Sequence, residues 1–207
     1  MWRLFDLLFP PRVDEIALRD VSLDDFLTLV SPRLVPETQP GTVALMQFSN
    51  ILARSAIHEA KYHGSNRAFT FLGNALAEYL HDIDDVGFSK SDIIVVPVPL
   101  GKKRRKERGF NQAEEIARAA LRVLDKSFTL DTNLLERVKE TPSQVSLERV
   151  KREKNMRDAF KAPRTLDPAR TYLILDDVLT TGATLQAAID ALKNAGAEHI
   201  IPLALAH

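Results

Sequence analysis

The sequence predicts an α/β fold in which a parallel sheet is flanked by helices and preceded by a short N-terminal extension. Three observations carry that prediction. Two stretches, SDIIVVPVP from position 91 and YLIL from position 172, are continuous apolar runs of the kind found in strands covered on both faces. A third, HIIPLALA, closes the chain from position 199. Stretches of helical periodicity separate them, and strand, helix, strand, helix, strand in that order selects parallel strands joined by crossovers.

The elements follow in order. Residues 1–44 mix short apolar clusters with acids and prolines, as in SPRLVPETQPG, and are expected to form an extension without a long element. Its start, MWRLFDLLFPP, lacks the charged head and small-residue cleavage site of a secretion signal and reads as a docking segment. Trp2, Leu4, Phe5, Leu7, Leu8 and Phe9 suit packing on the domain, with self-association into a homo-oligomer as the other reading. The main domain is expected over 45–207. From Val43 the spacing predicts a helix, with Leu45, Phe48, Ile51, Leu52, Ala56, Ile57 and Ala60 at three- and four-residue steps. HGSN breaks it, and Phe69, Leu72, Leu76, Tyr79 and Leu80 predict a second helix. After the first buried strand, Ile116, Ala120 and Leu124 mark a helix, and NLLERV at 133–138 a further strand. A polar, basic stretch then runs to about Asp158. After YLIL, TLQAAIDALKNAG predicts a helix ending at Gly196, where a C-terminal glycine belongs.

Composition sets outer limits. The chain has 207 residues, is 45% hydrophobic and 27% charged, and carries 28 basic against 28 acidic side chains. Overall charge therefore gives no reason to expect nucleic acid or a membrane surface, and any such case rests on local clusters. There is no cysteine, which excludes disulfides and thiolate metal sites and fits a reducing cytoplasm. No apolar run is long enough to span a bilayer, so a soluble, cytoplasmic protein is expected.

The stretch YLILDDVLTTGAT, residues 172–184, carries the chemistry. In parallel sheets ligands collect beyond the carboxyl ends of the strands. There Asp176 and Asp177 are followed by Val178, Leu179, Thr180, Thr181, Gly182, Ala183 and Thr184, a turn with little side chain that leads into a helix. Exposed N–H groups and a helix N-terminus together cradle phosphate. Two carboxylates beside them suit vicinal hydroxyls, which donate charge-assisted hydrogen bonds. A phosphate and a diol at that spacing describe a ribose 5-phosphate unit. An N-capped helix after a strand would explain a lone acidic pair, but not the whole thirteen-residue string.

Position for position this string resembles the phosphoribosyl diphosphate (PRPP) motif of type I phosphoribosyltransferases. It is neither a Walker A loop nor a dinucleotide fingerprint. The resemblance implies a type I phosphoribosyltransferase-like fold. It also implies PRPP or a ribose 5-phosphate ligand, a Mg²⁺ ion bridged by the ligand rather than bound by the protein alone, and displacement of pyrophosphate at the anomeric carbon. Catalysis would then rest on positioning and electrostatics, with Asp176 and Asp177 as the catalytic pair.

Two basic stretches add to it. GKKRRKERGFNQ places Lys102, Lys103, Arg104, Arg105, Lys106 and Arg108, then Gly109, in a loop after the first strand, where they suit pyrophosphate or a nucleic-acid backbone. Phe110 is the only ring nearby in sequence, too little for a stacking surface. The stretch from Arg137 to Phe160, with Thr141, Gln144 and Arg149, suits a mobile arm over the site, its second half fitting a solvated helix equally well. Taken with Pro97-Val98-Pro99, Arg105, Arg108 to Gln112, Arg137, Thr141, Gln144, Glu148, Arg149, Asn155, Ala159, Phe160 and AKYHG at 60–64, the chain from about 45 resembles the ComF family of competence proteins. That resemblance implies a role in handling single-stranded DNA with other competence proteins. Relatives commonly begin with a four-cysteine zinc module, which this sequence lacks. His58, His63, His81, His199 and His207 show no ligand spacing, so no zinc is expected. Lys61 suits either the ligand or the end of a helix. Two functions remain open: a phosphoribosyltransferase acting on an acceptor, or a PRPP-sensing or single-strand-binding accessory protein.

Overall fold

The computed structural model describes residues 12–85, 93–124, 127–139, 156 and 158–207. The extension holds more structure than its sequence announces. Helices α1 (Val13–Arg19) and α2 (Leu23–Leu27) precede strands β1 (Arg33–Val35) and β2 (Thr42–Met46). These elements are short, and short elements leave little periodicity to read. The helix predicted from Val43 begins only at Ile51, because Thr42–Met46 pairs with β1 on one side and the last strand on the other. Asn50 fixes the true start of α3 (Ile51–His58), its side chain accepting from the N–H groups of Leu52 and Ala53.

A π turn, Glu59–His63, extends α3 and ends at Gly64 in the left-handed region. Helix α4 (Asn66–Asp85) follows, then β3 (Ile93–Pro97), α5 (Lys102–Arg108), α6 (Gln112–Leu121) and β4 (Phe128–Leu130). Within 133–138 only Glu136–Arg137 is a strand, β5, which pairs antiparallel with β6 (Phe160–Lys161); Leu134 and Leu135 are core residues. Strand β7 (Thr171–Val178), helix α7 (Ala183–Asn194) and strand β8 (His199–Ala206) complete the chain as predicted, with Gly196 at φ 104° just beyond the helix.

The main sheet runs β1-β2-β8-β7-β3-β4, parallel throughout except for β1. Its central strands alternate between two cores. Ile93, Val95, Leu173, Leu175, Leu203 and Leu205 face the layer made by α3, α4 and α6, while Ile94, Val96, Tyr172, Ile174 and Ala204 share a core with α7 and with Leu134, Leu135, Phe160 and Leu166. Each fully buried aliphatic side chain contributes about 1.5–3 kcal/mol, which is why these strands read as unbroken apolar runs. The connection after β3 returns to the sheet at β4, on one side, and that after β7 returns at β8, on the other. The two connections diverge between β3 and β7, and this divergence opens a crevice at the carboxyl ends of those strands.

Candidate functional site

Strand β7 delivers two carboxylates to that crevice. Pairing with β3 stops at Leu175, opposite Pro97, whereas pairing with β8 continues to Val178. Asp176 and Asp177 therefore have a strand on one flank only. Because successive side chains alternate, Asp177 falls on the face of Leu173 and Leu175, and Asp176 on the face of Tyr172 and Ile174.

Their surroundings differ accordingly. Asp177 is 6% exposed. Its Oδ2 accepts from Lys61 Nζ at 2.9 Å and Gln112 Nε2 at 3.1 Å, and its Oδ1 from the Val178 N–H at 2.8 Å. Asp176 is half-buried, and its Oδ1 accepts from the Asp177 N–H at 2.9 Å. Burial, followed by the charge of Asp177, pushes the Asp176 carboxyl up to about 7. Burial pulls the Lys61 ammonium down, but Asp177 and Asp176 outweigh it and leave its pKa raised above the ordinary lysine value.

The turn after the acids is shaped by crowding as well as by conformation. Gly182 has φ 71°, and a Cβ there would lie 2.6 Å from the carbonyl oxygen of Glu37, so the position admits only glycine on two independent grounds. The Leu179 N–H is already spent on Ala206 O, and that of Val178 on Asp177. The N–H groups of Thr180, Thr181, Gly182, Ala183 and Thr184 make no hydrogen bond to any described residue, and they sit where α7 begins. The part of the predicted string whose N–H groups are left for a ligand is thus 180–184, with Val178 and Leu179 serving as its foundation.

The basic run is a helix rather than the loop expected from its charge. Gly101 precedes α5, and Gly109, at φ 80°, ends it. With no buried residue, α5 shows no apolar stripe by which sequence reading could find it. Lys102, Lys103, Arg105 and Lys106 are exposed. Arg105 pairs with Glu114, whereas Arg108 turns inward and donates to Gln112 Oε1 at 3.0 Å. Arg108, Gln112, Asp177 and Lys61 thus form a continuous chain of contacts. Asn111 fixes its centre, donating to Val98 O and capping α6 through the Ala113 N–H.

Gln112 is visible in the sequence only as the end of a motif; its partner Asp177 lies 65 positions away. Tyr62 is visible in the sequence only within AKYHG, with nothing to point to Arg108, yet its exposed ring lies beneath the Arg108 guanidinium at 5.3 Å, while Phe110 packs edge-on against Phe69. Arg137 stands apart, on β5, over the Phe160 ring. Thr141, Gln144 and Arg149 lie outside the described residues, as do Glu148 and Asn155.

Among the described residues no three His, Asp or Glu side chains group to hold a metal, and no helix is long and apolar enough to cross a membrane. A Mg²⁺ ion commonly takes one or two carboxylates and completes its shell with phosphate and water. Asp176, half-buried and with Oδ1 accepting from a single backbone N–H, could supply such a carboxylate.

Comparison with known proteins agrees with this geometry. Residues 107–207 match the phosphoribosyl transferase domain. The chain is 35% identical to competence protein F of Haemophilus influenzae over 108 residues, 51% of this chain and 46% of that protein. It is 31% identical to the DNA utilization protein YhgH of Escherichia coli over 142 residues, 68% of this chain and 61% of that protein. Competence protein ComFC of Bacillus subtilis is 31% identical over 103 residues, 50% of this chain and 39% of that protein. The chain thus spans about half to three fifths of the length of the first two relatives. It belongs to the ComF family of type I phosphoribosyltransferase-like proteins.

Proposed function

We propose that the crevice binds the 5-phosphoribosyl group of PRPP or a related ribose 5-phosphate, together with a Mg²⁺ ion bridged by the ligand. The observation that carries this reading is the juxtaposition of an acid pair with a turn whose free N–H groups head a twelve-residue helix. The 5-phosphate would take the amides of 180–184, the ribose hydroxyls would donate to the acid pair, and the inward-turned Arg108 would lie on the pyrophosphate side. When bound, Mg²⁺ would supply charge neutralisation on the diphosphate. With an acceptor present, the bond from the anomeric carbon to pyrophosphate would break as a bond to the acceptor forms.

The test is thermal denaturation. PRPP with Mg²⁺ at millimolar concentration should raise the Tm, since a ligand that binds only the folded state stabilises it by about 2.7 kcal/mol at a hundred times Kd. Asp176→Asn combined with Asp177→Asn should remove the shift; an unchanged Tm in the wild-type protein would contradict the reading.

A second reading, single-stranded DNA on the exposed face of α5, is favoured by one observation. Tyr62 and Arg108 place a ring and a guanidinium beside the basic helix. The names of the relatives, in competence and DNA utilization, agree with it. Arg104→Ala with Arg105→Ala should then weaken single-strand binding and flatten its salt dependence, and unaltered affinity would remove α5 from such a role.

A further inference from the structure

The two carboxylates of the pair are adjacent in sequence but differ in what holds them. The Asp177 side chain accepts from three protein groups: Lys61 and Gln112 on Oδ2, and a backbone N–H on Oδ1. A carboxylate has about four lone-pair sites, so Asp177 has little left to offer a ligand without losing one of these partners. Asp176 is half-buried, forms no ion pair with a described residue, and its Oδ1 accepts a single backbone N–H, that of Asp177.

Both partners of Asp177 are themselves anchored. Gln112 is 4% exposed, and its Oε1 accepts from Arg108. An arginine can only donate, so the amide cannot flip, and its NH₂ must point at Asp177. Lys61 sits in the π turn, a local widening that recurs at functional sites in helices. The carbonyl oxygen of Glu59 closes that turn, accepting from the Gly64 N–H. Its side chain, 2% exposed, is gripped by Arg12 through two hydrogen bonds of 2.8 and 2.7 Å. The N-terminal extension thereby fixes the segment that carries Lys61.

We propose that Lys61 and Gln112 are positioning residues that hold Asp177 in one orientation, and that Asp176 is the carboxylate that meets the ligand's hydroxyl groups. The second half of this proposal rests on the ribose-phosphate reading of the crevice; the first half does not. Lys61 acts through Asp177 and not on the phosphate.

Two measurements on the full chain test it. In the ligand-free protein, the Lys61 ammonium should give an exchange-protected side-chain NMR resonance that disappears in Asp177→Asn; its absence from the wild-type protein would overturn the anchoring of Asp177. Calorimetry with ribose 5-phosphate then reads the coupling. Lys61→Met should weaken binding about tenfold, within the range of contacting pairs, and Lys61→Arg about threefold or less. In an Asp177→Asn background Lys61→Met should cost little more. Equal losses in both backgrounds would place Lys61 on the ligand itself and refute the positioning role. Asp176→Asn should weaken binding at least about tenfold while leaving the Lys61 resonance in place. A wild-type protein that shows the resonance but binds no ribose 5-phosphate would overturn the assignment of Asp176, and with it the ribose-phosphate reading, while upholding the anchoring.

Discussion

The turn after β7 and the segment after β3 lie at the same end of the sheet, and both carry groups suited to phosphate, but they are built differently. The first presents backbone N–H groups whose places are set by packing: Gly182 lies against Glu37, Leu179 is buried, and α7 follows directly. The second presents charge on a helix with no buried residue, with Lys102, Lys103 and Lys106 exposed, Arg105 paired with Glu114 and Arg108 turned inward to Gln112. A site made of backbone has a fixed shape and little sensitivity to salt, whereas one made of exposed side chains attracts over a distance and is screened. On the proposed ribose-phosphate reading, recognition would fall to the turn and electrostatic attraction to the helix.

The harshest way to break this division is Gly182→Ala. The new methyl group meets a backbone oxygen in a conformation that L-residues avoid, and the two effects together should cost about 2–4 kcal/mol and lower the Tm accordingly. A loss below about 0.5 kcal/mol would mean that the turn is not fixed by packing. Gly109→Ala, also at positive φ but with nothing within 4 Å of the added carbon, should cost only about 1 kcal/mol.

Asp176→Asn comes next, and pH gives it a sign. The carboxyl titrates near 7 in the folded protein, against about 3.9 when unfolded, so the folded state binds more protons between these values. Stability from this group is complete below about pH 4, falls as pH rises to about 7, and is level beyond. Removing the charge should therefore stabilise the ligand-free protein at pH 8 by about 2 kcal/mol, or about 4–8 °C in Tm, and flatten the slope between pH 4 and 7. A variant less stable than the wild type at pH 8 would contradict this.

The smallest effect belongs to α5. Lys103→Ala with Lys106→Ala should change stability by less than about 0.5 kcal/mol, because neither side chain is buried. If single strands bind there, each phosphate that the variant no longer neutralises should reduce the slope of log affinity against log salt by about 0.7, as titration at several salt concentrations would show. A large drop in stability would mean that the helix is part of the fold and not an attached charge.

The difference between these regions also explains what is legible in the sequence. Strands β3, β7 and β8 are readable because a strand buried on both faces must be apolar along its whole length, and the acid pair stands out against that background. The glycine of the turn is readable as chemistry, although its approach to Glu37 is not. Strand β2 is mistaken for helix because Val43, Leu45 and Phe48 continue into a true helix at spacings that fit either period. The basic run looks like a loop because charge conceals a helix that has no apolar face. The tie from Lys61 to Asp177 and the approach of Tyr62 to Arg108 join residues distant in sequence, and no local pattern encodes them.

The most direct measurement compares ribose 5-phosphate with 2-deoxyribose 5-phosphate by calorimetry, in the wild-type protein and in Asp176→Asn. A site that grips the diol should bind the deoxy sugar at least about tenfold more weakly, because a half-buried carboxylate would lose one of its two hydroxyl donors, and the difference should vanish in the variant. Equal affinity of the wild-type protein for both sugars would show that the acid pair does not hold the hydroxyl groups.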